Sequence, residues 1–194
     1  MLEQSKAAKR RFFDGKFHSR YFVGHGIDIG AGNDCLENNM KQFMGIKSIR
    51  NWDMKDGDAQ YLNSIANEQY DFAHSSHCLE HMENPVIAID NWLRIIRPGG
   101  YLIVTVPDQH MYEHNFWPSR FNDDHKWTFT VTNINDVSGV TINVLEFLFN
   151  LRHVATVEKI EVINSFFDEM LPDNIDQTMF INPECCIEFI LRKN

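Results

Sequence analysis

No run of apolar residues in this chain approaches the roughly 20 needed to span a bilayer. The opening residues, MLEQSKAAKRRFFDG, carry charges where a secretory leader needs an unbroken apolar segment. Both features point to the cytoplasm. Cysteine is scarce: only Cys35, Cys78, Cys185 and Cys186 are present. None forms a CxxC pair and two are adjacent, which suits neither a disulfide framework nor a zinc site. Buried, reduced thiols are the expectation. Positive charge is also in deficit, with 18 Lys and Arg against 27 Asp and Glu and a net charge of −9. The one basic cluster, Lys6, Lys9, Arg10 and Arg11, lies on an expected N-terminal helix. A nucleic-acid substrate is therefore disfavoured. There is no internal repeat and no low-complexity tract, and a length of 194 residues suits one domain, 1–194.

What is present alternates between strands and helices. Residues 3–13 read as a helix. A strand follows at Gly26–Ile29, then a poorly amphipathic helix over 33–44, then a strand at Ser48–Asp53. Tyr70–Ser76 is a third strand. Residues 85–97 form the clearest helix: Asn84 suits the N-cap, Pro85 the first position, and Ile89, Trp92, Leu93 and Ile96 recur at helical spacing. Pro98-Gly99-Gly100 stops it, and YLIVTVP then reads as a central strand buried on both faces. Strand, helix and strand in this order make a parallel sheet. Residues 108–140, rich in aromatics, amides, acids and histidine, read as an insertion. A helix at 143–153 and strands at Ala155–Ile163 and Glu184–Arg192 complete the chain.

In open parallel sheets, ligands bind beyond the carboxyl ends of the strands. Three such ends carry polar or bare groups: Asp28 with Gly30 and Gly32, then Asp53, then Ser75, Ser76 and His77. Asp53 stands 23 positions past Gly30 (53 − 30). An acid at roughly this distance suits the two hydroxyls of a ribose. The dinucleotide fingerprint GxGxxG is absent, because Cys35 stands at its last position, and no Walker lysine follows. The turn is thus suited to an adenosine ligand without phosphates, and a nicotinamide enzyme is disfavoured.

GIDIGAG, Asp53, GDAQYL, YDFAHSSHCLEH and RPGGYLIVTVPD, over residues 26–108, resemble the successive motifs of class I S-adenosylmethionine-dependent methyltransferases. The resemblance implies a three-layer α/β sandwich with a Rossmann-like, mostly parallel seven-stranded sheet and an antiparallel last strand. It implies S-adenosylmethionine as cofactor. Gly30, Ala31 and Gly32 would line its methionine part and Asp28 would support the ammonium. Asp53, with Met54 beside it, would take the ribose, Asp58 and Ala59 the adenine, and Ser75, Ser76 and His77 the junction with the acceptor. Where the family often has a third glycine, this chain has Asp34. The insertion more loosely resembles segments of bacterial sugar-modifying methyltransferases.

The resemblance makes the protein an enzyme, and the flat aromatic faces, amides and carboxylates of the insertion suit a saccharide or other small hydroxylated acceptor, hence transfer to oxygen, as in polysaccharide biosynthesis. In-line transfer is mainly a matter of positioning. An alcohol must also lose its proton, and histidine is the usual acceptor. His125, flanked by Asp123 and Asp124, is the first choice, with His81 and Asp108 next. No metal is expected, although paired acids holding a diol-chelating cation are an alternative. HCLEH also fits the inverted zinc-protease pattern HxxEH, disfavoured because it starts at a strand end and not within a helix. A non-catalytic module that binds the cofactor or its demethylated product is the alternative to an enzyme. Residues 1–20 are expected to act as an N-terminal helix or lid.

Overall fold

The computed structural model describes residues 2–132 and 136–194. Residues 133–135 of the expected insertion lie outside them. The main sheet takes β1 (Gly24–Ile29), β2 (Ile46–Trp52), β3 (Tyr70–Ser76), β4 (Ile96–Pro107), β7 (Ala155–Ile163) and β8 (Cys186–Lys193). Their order is β2-β1-β3-β4-β8-β7. The pairs β1–β2, β1–β3 and β3–β4 are parallel, whereas β8 is antiparallel to both β4 and β7. A separate parallel pair, β5 (Thr128–Thr130) and β6 (Thr141–Asn143), lies in and just after the insertion. This is the expected Rossmann-like α/β architecture, with six strands in its main sheet among the described residues and not the expected seven. The reason is local: between Trp52 and Tyr70 the chain holds a short 3-10 turn at Met54–Asp56 and further turns. Asp, Gly and Asn there supply turns instead of an edge strand.

Helices cover both faces, with α1 (Glu3–Phe12) on one side and α2 (Pro85–Arg94) and α3 (Val144–Asn150) on the other. Alternation along the strands sorts the core. Leu102, Val104 and Val106 of β4 join the cluster that contains Ala88, Trp92 and Leu148. Ile103 joins Ala8, Phe17, Phe22 and Phe72 on the opposite face.

The ends of β1, β2 and β8 shift from expectation by one or two residues, and the start of β4 and several helical elements differ more. Residues 33–44 hold a 3-10 helix, Leu36–Gln42, with only Leu36 buried. Without an apolar stripe nothing holds an α-helix to the sheet. Helix α2 starts as expected, with the Asn84 side chain accepting from the N–H groups of Val86 and Ile87. It ends at Arg94, because Ile96 already pairs with Tyr70. Pro98-Gly99-Gly100 then fall within β4, where the register breaks before Phe72 meets Tyr101. Helix α3 is shorter than 143–153, because Thr141–Asn143 belong to β6 and Asn143 caps the helix from outside. A π-helical turn, Phe17–Tyr21, occupies a stretch for which the pattern predicts no helix.

Candidate functional site

β1 ends at Ile29, and the chain turns through Gly30 and Gly32 at φ +74° and +52°. The N–H groups of Gly30 and Ala31 both donate to the Trp52 carbonyl, at 2.9 and 3.1 Å, so the end of β2 holds the turn. A Cβ on Gly30 would stand 2.6 Å from the Cys78 sulfur, whereas one on Gly32 would meet nothing within 4 Å. Gly30 therefore permits close packing, and Gly32 leaves its backbone bare. Burial pushes the Cys78 thiol up to about 12, so it packs as a neutral group.

Two cavities meet at Gly30 and His77. The smaller, about 180 Å³, is lined by Asp28, Gly30, Ala31, Gly32, Ser76 and His77 together with Glu3, Gln4, Asn33, Asp34 and His74. The larger, about 530 Å³, is lined by Gly30, Asp53, Met54, Asp58, Ala59 and His77 together with Gly57, Cys78, His81, Met82 and Asp124. Ten of the eleven expected cofactor residues thus border one continuous region of the protein. Ser75 does not: it is buried, and its hydroxyl donates to the Ile29 carbonyl at 3.0 Å, tying β3 to β1. His77 holds φ +53°, a conformation that disfavours a side chain, at the point where the cavities join. Burial pushes its pKa down to about 3, so it is neutral. Asp53 Oδ1 accepts from the Met54 N–H at 2.8 Å. Asp58 Oδ1 accepts from the Gln60 N–H at 2.7 Å, and the Ala59 carbonyl accepts from the Trp92 indole at 2.8 Å.

The N-terminal helix forms a wall of the smaller cavity through Glu3 and Gln4. Asp34 explains one part of this. It accepts from the Ser5 N–H at 3.0 Å and from the Ser5 hydroxyl, so the residue at the third-glycine position holds α1 over the glycine turn. Deeper, Arg11 is fully buried. Its nitrogens reach Glu188 at 2.8 Å, Thr105 at 2.9 Å, Gln4 at 3.0 Å and the His74 Nε2 at 3.0 Å. Arginine can only donate, so His74 Nε2 accepts, and the His74 Nδ1–H donates to Asp28 at 2.6 Å. Burial lowers the His74 pKa against the pull of Asp28, in keeping with a neutral ring. Asp28 also accepts from the Leu36 N–H at 2.7 Å. A chain of contacts thus runs from β8 through α1 to the glycine turn. Composition shows the basic cluster but not its destination, which depends on pairing across strands distant in sequence.

The expected catalytic residues separate. Asp108 is buried and accepts from the N–H groups of His110 and Met111 at 2.9 and 3.0 Å. It shapes a turn and borders neither cavity. His125 is buried, and Asp123 and Asp124 do not orient it. Its Nδ1 meets Glu113 Oε1 at 2.7 Å, and its Nε2 lies 4.0 Å from Glu80. Burial opposes charge on His125, but the Glu113 hydrogen bond and the nearby carboxylates outweigh it and raise the pKa. Asp124 instead meets His81 Nδ1 at 3.0 Å, and both border the larger cavity. Glu80 and Glu113 complete the group, and the expected catalytic set contains neither. HCLEH does hold Glu80 and His81, but on a short 3-10 turn, Leu79–His81, and not within a longer helix.

The bare glycine backbone, the strand-end acid and the two joined cavities fit an elongated adenosine-containing ligand. A family model described as "Methyltransferase domain" matches residues 10–137, well over half of the chain. No curated protein sequence matches. Solved structures share the fold at low identity. A chain of the Haloferax volcanii complex between the Trm112 methyltransferase activator and a methyltransferase is 13% identical, with a TM-score of 0.66 over 98% of this chain and 92% of that one. A SAM-dependent methyltransferase of Archaeoglobus fulgidus is 19% identical, with a TM-score of 0.62 over 100% and 95%. An S-adenosylmethionine-dependent methyltransferase of Mesorhizobium loti is 14% identical, with a TM-score of 0.58 over 97% and 99%. The matched domain, together with a glycine turn, strand-end acid and sheet order of this kind, makes the chain a member of the class I S-adenosylmethionine-dependent methyltransferases.

Proposed function

We propose that the enzyme methylates an oxygen of a saccharide or other small hydroxylated acceptor. When bound, S-adenosylmethionine supplies an electrophilic methyl group on a sulfonium. We assign its methionine part to the smaller cavity, with Gly30, Ala31 and Gly32 against it. Asp28 retains acceptor capacity for the ammonium beyond its bonds to His74 and Leu36. Gln4 Nε2, which has no hydrogen-bond partner and belongs to a residue on the cavity wall, can donate to the carboxylate of the methionine part. Asp53 would accept from the ribose hydroxyls, with Met54, Asp58 and Ala59 along the adenine and Ser76 and His77 at the junction.

The observation that carries the acceptor assignment is His81, on the wall of the larger cavity and fixed by Asp124, with Glu80 and His125 behind it. This group sits where an acceptor hydroxyl would lose its proton. The insertion supports a polyhydroxylated acceptor through its composition, in which exposed Phe116, with the Arg120 guanidinium over its ring at 3.8 Å, stands in sequence among Asn, Asp and His. Free, buried Cys35, Cys78, Cys185 and Cys186 suit the reducing cytoplasm. Among the described residues no helix is long and apolar enough to cross a membrane. The reading is tested by a methyl-transfer screen against nucleotide sugars, glycans and small phenols. Transfer to a hydroxyl, lost in His81→Ala with S-adenosylmethionine affinity retained, is the expected result. Transfer only to nitrogen, sulfur or carbon acceptors would overturn it.

A further inference from the structure

Glu80 has no exposed surface, and neither carboxylate oxygen has a hydrogen-bond partner. Burying a carboxylate in this way is unfavourable unless something compensates it. The backbone around it is well held. Its carbonyl accepts from the N–H groups of Lys126 and Trp127, at 2.9 and 3.2 Å, which fastens the 3-10 turn after β3 to the insertion. The two nearest cationic candidates are His81 and His125, each with Nε2 4.0 Å from Glu80 Oε1.

The two histidines are arranged alike. Each turns Nδ1 to a carboxylate: His125 to Glu113 at 2.7 Å and His81 to Asp124 at 3.0 Å. Each therefore directs Nε2 towards Glu80. One ligand atom from each of Glu80, His81 and His125 lies within 4.8 Å of the others. Two ligands on one ion with bonds of about 2.1 Å are separated by at most about 4.2 Å. Small side-chain rotations would bring the three within that limit. Histidine ligands held through their second nitrogen by carboxylates are a recurrent feature of metal sites, because the outer partner fixes the tautomer and the ring orientation.

We propose that Glu80, His81 and His125 bind one divalent first-row cation, with Glu113 and Asp124 as outer partners. Two imidazoles and one carboxylate suit Zn²⁺, Mn²⁺ or Fe²⁺ over Mg²⁺ or Ca²⁺, which favour oxygen ligands. Three protein ligands leave positions open, and His81 brings the site to the wall of the larger cavity. There the ion would bind an acceptor oxygen and lower the pKa of its hydroxyl, so that in the loaded protein the proton leaves to water and His81 acts as a ligand in place of its role as base. That catalytic role rests on the O-methylation reading; the ion site itself does not.

The test uses the full chain stripped with EDTA and titrated calorimetrically with Mn²⁺ and Zn²⁺, with Co²⁺ loading followed by visible absorption. One ion per chain and Co²⁺ ligand-field bands are expected. Glu80→Gln and His125→Asn should each weaken binding at least tenfold, and Glu113→Gln by about tenfold. Circular dichroism and S-adenosylmethionine affinity report whether each variant remains folded. His81→Asn, at a half-buried position, provides a further variant should the buried substitutions disrupt folding. Absence of a stoichiometric ion in the wild-type protein, or wild-type ion affinity in the folded variants, overturns the site. An ion bound without methylation of any hydroxyl supports the site and overturns the O-methylation reading. Equal O-methylation by stripped and loaded protein overturns only the ion's catalytic role.

Discussion

Arg11 and Glu80 are both fully buried charged residues, and their surroundings are unlike. Arg11 donates to Glu188, Thr105, Gln4 and His74, and Glu188 also meets Arg10 and Lys159. Those neighbouring charges hold the Glu188 carboxyl well below its usual range despite burial. Glu80 has two unpartnered oxygens, and burial raises its pKa. Each Arg11 nitrogen has a partner without any ligand, so Arg11 belongs to the architecture. The Glu80 group lacks a partner, as expected of a site that receives one.

The largest effect should come from breaking the Arg11 group. Arg11→Leu would leave His74, Thr105 and part of Glu188 buried without their donor. A loss of about 3–5 kcal/mol in unfolding free energy is expected, measured by urea denaturation. A loss below about 1 kcal/mol would mean that the group is not a structural centre.

Glu3, at the exposed-chain end of the same helix, is buried beside Lys6 and pushed up to about 7. Desolvation outweighs the attraction of Lys6, and Glu184 and Asp176 add repulsion. Between its ordinary value of 4.5 and about 7 the folded state holds this proton more tightly than the unfolded state. Its contribution to stability is therefore present below pH 4.5 and lost as pH rises through about 7. Glu3→Gln should flatten that part of the stability profile, by roughly 1–3 kcal/mol across the window. An identical slope in the variant would remove Glu3 as its source.

The expected ribose acid, Asp53, lines the larger cavity. Asp53→Ala should weaken S-adenosylmethionine binding by about 100-fold, as for one or two charge-assisted hydrogen bonds. Calorimetry measures the change, and an unaltered dissociation constant would remove Asp53 from the ribose.

These regions also differ in how far the sequence discloses them. The glycine turn, Asp53 and the strand ends are contiguous short motifs. They border one region because parallel strands end on the same side of a sheet. The Arg11 group joins residues from α1, β1, β3, β4 and β8, and only strand register brings it together. The sequence shows Glu80 and His81 within HCLEH, but their relation to His125 depends on where the insertion docks. Asp123 and Asp124 are adjacent to His125 in sequence, yet Glu113 is its partner in space. Adjacency was a poor guide there because consecutive side chains diverge. The extent of α2 is likewise beyond local pattern, because Ile96 is taken by pairing with Tyr70, whereas the missing edge strand has a local sign in the turn residues between Trp52 and Tyr70.

The smallest effect gives the sharpest contrast with Arg11. Glu80→Gln retains the shape of the side chain and replaces a carboxylate that has no partner. The turn does not depend on that carboxylate, because its ties to Lys126 and Trp127 run through the Glu80 carbonyl. Metal-stripped Glu80→Gln should therefore unfold within about 1 kcal/mol of metal-stripped wild type, with any shift towards greater stability. Adding Zn²⁺ should raise the unfolding midpoint of the wild type and raise that of the variant less, because a ligand stabilises the folded state in proportion to how tightly it binds there. A loss of 3 kcal/mol or more without metal would place Glu80 with Arg11, as a structural charge whose partner has gone unrecognised.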